Sequence, residues 1–245
     1  MSRVGVRVLG VATAVALVAL VVIALAVVGP DARQGDAQRI MYVHVPSAWL
    51  AYLAFGVTAV ASALFLWPRT RDRRWDLLAG ASAEVGVVFT ALMLITGSLW
   101  GRPIWGTWWE WDARLTTSAV LFFLYLGYLA VRRIGGDPIA AGKRSAIVAL
   151  IAFIDVPVVH FSVNWWQTLH QKATVFNPDL DVQMDTPMAL TLLFGVFAFT
   201  LLYAWLVALR YRLADLEEGL DERELERAIQ ARVAAAVPTL SVEAS

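Results

Sequence analysis

The chain has 245 residues, of which 59% are hydrophobic and 16% are charged, with 20 basic and 20 acidic residues. A typical soluble domain is about 45 to 50% apolar and about 25% charged, so this composition excludes an ordinary soluble domain. The chain has no cysteine, which excludes disulfides, cysteine-ligated metal centres and a thiolate nucleophile. Any metal must therefore be bound through oxygen or imidazole, and the chain has three histidines: His44, His160 and His170.

Six apolar stretches are long enough to cross a membrane, which takes about 20 mostly apolar residues in a helix. They are residues 8–28, 48–67, 77–99, 115–131, 146–163 and 188–209. The first stretch follows two arginines, as a signal peptide would, but its 21 residues exceed the roughly 7 to 15 of a signal-peptide core. We therefore expect a retained first helix and an all-α, polytopic membrane protein with six transmembrane helices.

The basic residues between these spans predict the orientation of the chain. With the N-terminus in the cytoplasm, the cytoplasmic segments hold 15 of the 20 Lys and Arg residues. Because Lys and Arg are retained on the cytoplasmic side during insertion, this bias predicts that both termini are cytoplasmic. The five basic residues on the outer side are Arg33, Arg39, Arg102, Arg114 and Lys172.

The last part of the chain differs in composition from the rest. We predict a six-helix membrane domain over residues 1–209, with an outer tryptophan-rich loop at 100–114, and a charged cytoplasmic tail over 210–245. Apolar residues recur at roughly helical spacing among the charges of the tail, at Leu213, Leu216, Leu220, Leu225 and Ile229. This pattern is typical of a solvated helix, and the alternative is a docking helix for a cytoplasmic partner.

All three histidines fall on or near the outer side in this topology. His44 lies in the first outer loop, His170 in the third, and His160 at the outer end of the fifth span. Neutral imidazole is a common metal ligand, so the two loop histidines are candidates for ligands on opposite sides of one iron. A hydrogen-bonded structural role is the alternative for each histidine, and it is favoured for His160.

Tryptophan is concentrated on the same side. Eight of the 11 tryptophans are outer, whereas a lipid-anchoring aromatic belt would occupy both interfaces. Trp105, Trp108, Trp109 and Asp112 have the spacing of one face of a short helix, which predicts an aromatic shelf lying flat on the membrane. Indole rings beside two imidazoles suit a large, flat, apolar ring that carries an iron. Outer cations would either pair with carboxylates of that ring or anchor the chain at the interface.

Two acidic residues lie inside apolar spans, Glu84 in the third and Asp155 in the fifth. A carboxylate there costs roughly 2.5 to 3.5 kcal/mol and is a candidate functional group. We favour structural pairing for both. Asp155 stands two residues before Pro157, which is expected to kink the fifth span.

Three segments carry a resemblance to a known family. WGTWWEWDARLT (105–116) resembles the tryptophan-rich WGxWWxWD signature of the haem-handling proteins of cytochrome c maturation. MYVHVPSAW (41–49) and VHFSVNWWQTLHQ (159–171) match the same family in the same order. Over about residues 39–206, the chain is similar to the haem exporter protein C family.

The resemblance implies a haem-binding and haem-delivery subunit of c-type cytochrome biogenesis rather than an enzyme. It implies haem b as the bound group, with His44 and His170 as axial ligands. The implied haem platform consists of Trp100, Trp105, Trp108, Trp109, Trp111 and Asp112. Arg39 and Arg114 are implied in haem handling or chaperone contact, and Arg102 and Lys172 remain candidates for pairing with the haem propionates.

The resemblance also implies partners and a location. The partners are a periplasmic haem chaperone, the membrane and ATPase subunits of an ABC transporter, a small single-helix accessory subunit and the lipid bilayer, with no nucleic acid. The location is the bacterial inner membrane, with the haem site on the periplasmic side. The chain lacks the GxxxxGK[ST] phosphate-binding motif, so an ATPase would have to be a separate subunit.

Two other functions compete with this interpretation. A cytochrome c synthetase shares the tryptophan-rich motif, but six helices without a large soluble domain or a further histidine pair in the membrane argue against it. A permease would use the aromatic loop only as an anchor, and the one-sided tryptophans and paired loop histidines argue against that role.

Overall fold

The computed structural model describes residues 2–170 and 184–236, and within these ranges the chain is helical with no β-strand. The α-helices are α1 (Arg3–Val22), α2 (Met41–Leu66), α3 (Arg73–Trp105), α4 (Ala113–Arg132), α5 (Pro138–Phe153), α6 (Asp155–Trp165) and α7 (Thr186–Ala236). A π-helical turn (Ile23–Val27) extends α1, and a 3₁₀ turn (Asp36–Ile40) leads into α2.

Six helical segments are long and apolar enough to cross a membrane, which confirms the predicted polytopic all-α protein. They are Arg3–Val27, Asp36–Leu66, Arg73–Trp105, Ala113–Arg132, Pro138–Trp165 and Thr186–Leu220. The helices extend beyond the apolar stretches read from the sequence. In particular, α7 continues without a break from the sixth span into the charged tail, as far as Ala236.

The fifth span is broken into α5 and α6, as the proline in its sequence predicts. Pro157 has no N–H, and its ring clashes with the carbonyl four residues earlier, which belongs to Phe153, the last residue of α5. Asp155 is at the start of α6, where its Oδ2 is buried without a hydrogen-bond partner in the described part of the chain. The pairing expected for Asp155 is therefore not found for this oxygen.

The α2–α3 pair is the centre of the bundle. One buried cluster joins this pair to α1 and α7, and a second joins it to α4, α5 and α6. Small residues bring α2 and α3 close together, because a Cβ added to Gly86 would lie 2.7 Å from Cε1 of Phe55 and 2.9 Å from Cβ of Ala54. Such close backbone approach is a usual source of helix association in membranes, where van der Waals packing replaces the hydrophobic effect.

Several polar side chains of the bundle pair with backbone carbonyls or with each other. Ser82 donates to or accepts from the Tyr203 hydroxyl at 2.7 Å, and its hydroxyl also lies 2.7 Å from the Ala54 carbonyl. Glu84 accepts a hydrogen bond from Arg210 at 2.5 Å, which is the structural pairing expected from the sequence. Arg132 pairs with Asp76 through two nitrogens.

The close contact at Gly86 predicts a measurable destabilisation. Gly86→Ala should lower the free energy of unfolding by about 1 to 3 kcal/mol relative to Gly56→Ala, because the added methyl overpacks the α2–α3 contact. Gly56 is the matched control, since it lies in α2 with nothing within 4 Å of its added Cβ. Denaturant titration in detergent would measure both variants. Equal stabilities would show that this contact does not limit the packing.

Candidate functional site

Those predicted site residues that the structure describes gather at one end of the bundle, where α2 and α4 begin and α3 and α6 end. This end is called the tryptophan end below. His44 lies in the first turn of α2 rather than in a loop, because α2 begins at Met41, seven residues before the apolar stretch. Hydropathy misses this turn because His44 and Pro46 interrupt the apolar run.

The imidazole of His44 is held by α3. Its Nδ1 lies 3.0 Å from the Met93 carbonyl and 3.2 Å from the Thr96 hydroxyl oxygen. A carbonyl can only accept, so this bond places the proton on Nδ1 and leaves the lone pair of Nε2 free. Metal-ligating histidines usually make this second hydrogen bond, which fixes both the tautomer and the ring orientation.

Gly97 provides the space for this arrangement. A Cβ at this position would lie 3.0 Å from Cε1 and 3.4 Å from Nδ1 of His44. Together with the Met93 carbonyl and Thr96, Gly97 forms a seat for the imidazole that the sequence interpretation missed. The available signal was a glycine inside an apolar helix, since such a residue usually has a packing or functional reason.

His170 lies opposite His44, as the two-ligand hypothesis requires. The centroids of the two rings are 6.4 Å apart and their planes are tilted by 37°. His170 follows the end of α6, and its backbone is shaped by Thr168, whose hydroxyl accepts from the His170 N–H at 3.0 Å and donates to the His170 carbonyl at 3.1 Å. The structure thus brings together two histidines that are 126 positions apart in the sequence.

Two of the tryptophans flank this pair directly. Trp100 meets the His44 ring edge-on at 5.7 Å between centroids, and its indole N–H donates to Gln34 at 2.9 Å. The centroid of Trp105 is 6.4 Å from that of His170. These two indoles therefore lie beside one imidazole each.

The remaining tryptophans follow in an irregular loop, so the short helix predicted over 105–112 is wrong. Helix α3 ends at Trp105 because Gly106 adopts a left-handed conformation, with φ of 79°. Trp109 and Trp111 contact each other edge-on at 5.4 Å. Trp108 and Trp111 are 57% and 77% exposed, whereas the indole nitrogen of Trp109 is buried without a partner among the described residues.

Asp112 differs from the tryptophans of the predicted platform because its side chain binds backbone N–H groups. Its Oδ1 accepts from the Leu115 N–H at 2.8 Å and caps α4. Its Oδ2 accepts from the Leu169 N–H at 2.9 Å. Both carboxylate oxygens are thus bonded to backbone amides, one of them next to His170.

The predicted cations are largely engaged by the protein itself. Arg39 donates to the carbonyls of Ala24 and Val28 and pairs with Asp36, which joins the end of the first span to the start of the second. Arg114 donates to the carbonyls of Val159 at 2.7 Å and His160 at 3.2 Å, which joins α4 to α6.

Arg102 and Lys172 are the remaining two candidate cations, and the structure describes only Arg102. Arg102 donates to the Gly106 carbonyl and lies over the Trp108 ring, with 5.9 Å from its guanidinium carbon to the ring centroid. Lys172 lies outside the described residues, so its expected role has no structural counterpart here.

His160 lies in a different environment from the other two histidines. Its ring contacts Phe161 at 4.9 Å and Tyr52 at 6.1 Å, in both cases edge-on. It is on the exposed side of α6. The hydrogen-bonded structural role favoured for His160 from the sequence stays a prediction.

The chain is therefore a polytopic membrane protein with six helices long enough to cross the membrane, and it carries two neighbouring imidazoles and a tryptophan-rich loop at one end. The chain matches the family described as Heme exporter protein C over residues 1–226. It belongs to that family, as the sequence resemblance predicted.

Individual relatives agree with this assignment. The Heme exporter protein C of Bradyrhizobium diazoefficiens is 43% identical over 196 residues, covering 80% of this chain and 73% of the relative. That of Escherichia coli K12 is 41% identical, covering 74% and 72%. A putative cytochrome c biosynthesis ccmC-like mitochondrial protein of Marchantia polymorpha is 39% identical, covering 69% and 71%. The chain is thus a multi-pass membrane component of haem export and cytochrome c maturation.

The seat of His44 gives a test of its geometry. Gly97→Ala should push the imidazole away from the Met93 carbonyl and weaken a bond of about 1 kcal/mol, which corresponds to a roughly fivefold smaller preference for the tautomer protonated on Nδ1. The ring ¹⁵N chemical shifts of His44, which distinguish the two tautomers, should move towards the form protonated on Nε2, with His160 as internal reference. Gly127→Ala in α4, with nothing within 4 Å of the added Cβ, is the control. Unchanged His44 shifts in Gly97→Ala would contradict the seat.

Proposed function

We propose that the chain binds haem b between His44 and His170 at the tryptophan end and presents it to a periplasmic haem chaperone. The separation of the two imidazoles carries this proposal. A metal–imidazole bond is about 2.0 to 2.1 Å long, and each nitrogen is about 1.1 Å from its ring centroid, so two imidazoles on opposite sides of one iron would have centroids about 6.2 to 6.4 Å apart. The distance in this chain is 6.4 Å.

The state of His44 also fits axial ligation. With the Nδ1 proton bonded to the Met93 carbonyl, Nε2 offers its lone pair to the iron. The hydrogen bond also increases the basicity of the imidazole and keeps the ring from rotating. Haem is the cargo in this proposal, and each of the two histidines would donate a nitrogen lone pair to its iron. Because the chain has no cysteine, haem is held without thioether bonds, as haem b.

The surroundings suit the apolar ring and the carboxylate tails of haem. Trp100 and Trp105 flank the two imidazoles and offer apolar edges. Trp109 has a buried indole N–H that lacks a partner in the described part of the chain, and an anionic carboxylate would satisfy it. Arg102 has further N–H donors for a propionate, whereas Arg39 and Arg114 support the site by holding helices together.

The exposed indoles beside the site favour haem delivery to a partner over catalysis. The exposed indoles of Trp108 and Trp111 provide an apolar surface for the chaperone, since large exposed apolar patches usually mark interaction sites. The bias of basic residues supports a periplasmic position for this surface. In this proposal the chain works with ABC transporter membrane and ATPase subunits and a single-helix accessory subunit in the bacterial inner membrane. The charged tail beyond residue 209 is cytoplasmic.

The absorption spectrum of the purified protein tests the proposal. We expect a six-coordinate, low-spin haem spectrum because two neutral imidazoles ligate the iron. His44→Ala and His170→Ala should each abolish the low-spin signal and reduce retained haem by at least roughly 10- to 100-fold, the range already seen when only the outer-shell partner of a metal ligand is lost.

His160→Ala is the matched control, because His160 is an exposed histidine of the same region that contacts Tyr52 and Phe161 rather than the paired imidazoles. It should leave the spectrum unchanged. Purified protein without haem, or a low-spin spectrum that survives both His44→Ala and His170→Ala, would overturn the proposal.

A further inference from the structure

We propose that Asp112 is a positioning residue for His170, acting through the backbone of Leu169 rather than through contact with haem. The inference rests on the proposed function, because it concerns how one of the two axial ligands is held. Its starting point is a hydrogen bond that connects the tryptophan loop to the segment carrying His170, between residues 57 positions apart.

The carboxylate of Asp112 performs two separate tasks with two oxygens. Oδ1 receives the Leu115 N–H and caps α4, and Oδ2 receives the Leu169 N–H. Hydrogen bonds to an ionised acceptor are roughly twice as strong as neutral ones, so the second bond is a firm link between the two segments. Both oxygens of the carboxylate therefore bind backbone N–H groups.

The segment after α6 has little regular structure to hold it. Helix α6 ends at Trp165, and Trp166 is already extended, with φ of −130° and ψ of 160°. Thr168 then folds the chain locally around His170 through its hydroxyl. Thr168 sets the shape of this turn, and Asp112 sets its place relative to α4.

The start of α4, where Asp112 lies, is itself held against α6 by hydrogen bonds. Arg114, two residues further on, donates to the carbonyls of Val159 and His160 and so fixes the start of α4 against α6. The end of α6, the start of α4 and the His170 segment thus form one connected unit. Trp105, at the other end of the loop, lies beside His170 with 6.4 Å between centroids. Asp112 therefore also keeps His170 in place relative to this indole.

Asp112→Asn separates the two tasks. An asparagine caps a helix as well as an aspartate does, so one carbonyl oxygen can still receive the Leu115 N–H. Its NH₂ group cannot accept from Leu169, so the link to the His170 segment is lost. Asp137→Asn is the matched control, because Asp137 caps α5 by accepting from the Ala140 N–H at 2.8 Å. Asp137 lies in the loop between the end of α4 and the start of α5, at the opposite end of the bundle from the tryptophan end.

The measured quantities are the haem spectrum and the haem retained per protein, with and without added imidazole. In Asp112→Asn we expect the low-spin signal to fall roughly 10- to 100-fold, as for other partners that orient a metal ligand. Free imidazole should restore the low-spin spectrum, because it fills the position that a displaced His170 leaves open. Asp137→Asn should resemble the wild type in both conditions.

A double variant keeps the test independent of folding yield. If Asp112 acts through His170, Asp112→Asn should cause no further loss of haem in a His170→Ala background. An additional loss there, or loss of haem that imidazole does not reverse, would overturn the inference and return Asp112 to direct haem contact. An unchanged low-spin spectrum in Asp112→Asn would also overturn it. That result leaves the proposed function standing, whereas a haem-free wild type would remove the proposed function itself.

Discussion

The packing of α2 against α3 is the contact on which the site depends. Gly86 and Gly97 are 11 residues apart in α3, which is close to three full turns, so both lie on the face that meets α2. At Gly86 the missing side chain admits Phe55, and at Gly97 it admits the imidazole of His44. The seat of His44 is therefore part of the helix interface that organises the bundle.

A second constraint is the need to satisfy polar groups in an apolar medium. Unsatisfied polar groups cost several kcal/mol in lipid, so polar side chains in membrane helices are expected to find partners. In this chain the partners are often backbone carbonyls. Arg39 and Arg114 each donate to two of them, and the Met93 carbonyl accepts a hydrogen bond from the Nδ1–H of His44. The same bonds that satisfy these groups also connect the helices at the tryptophan end.

Hydropathy was sufficient to predict the six membrane spans, whereas the orientation read from the charges stays a prediction. The six spans are confirmed, because a run of about 20 apolar residues reports on the membrane without reference to other parts of the chain. The meeting of His44 and His170 was also predicted, since both were assigned to the same face by the topology. Family membership followed from three short motifs, which carry information that composition does not.

The details of the site depend on features that a periodic pattern does not record. The spacing of Trp105, Trp108 and Asp112 suggested a helix, but Gly106 ends α3 through a left-handed conformation that this spacing ignores. The second bond of Asp112, to Leu169, depends on tertiary structure alone. Its helix-capping role had a local signal, an aspartate directly before an apolar run. The role of Gly97 required knowing which side chain lies against it.

The length of α7 has a mechanical consequence. This helix has 51 residues and at 1.5 Å per residue is about 76 Å long, more than twice the thickness of a bilayer core. Its first turns pack beside Trp100 and Met41 through Met188, while Arg73 pairs with Glu218 near the other surface. No break separates the span from the tail. Because the helix is continuous, a change in its tilt at the tryptophan end would displace its far end by a larger distance.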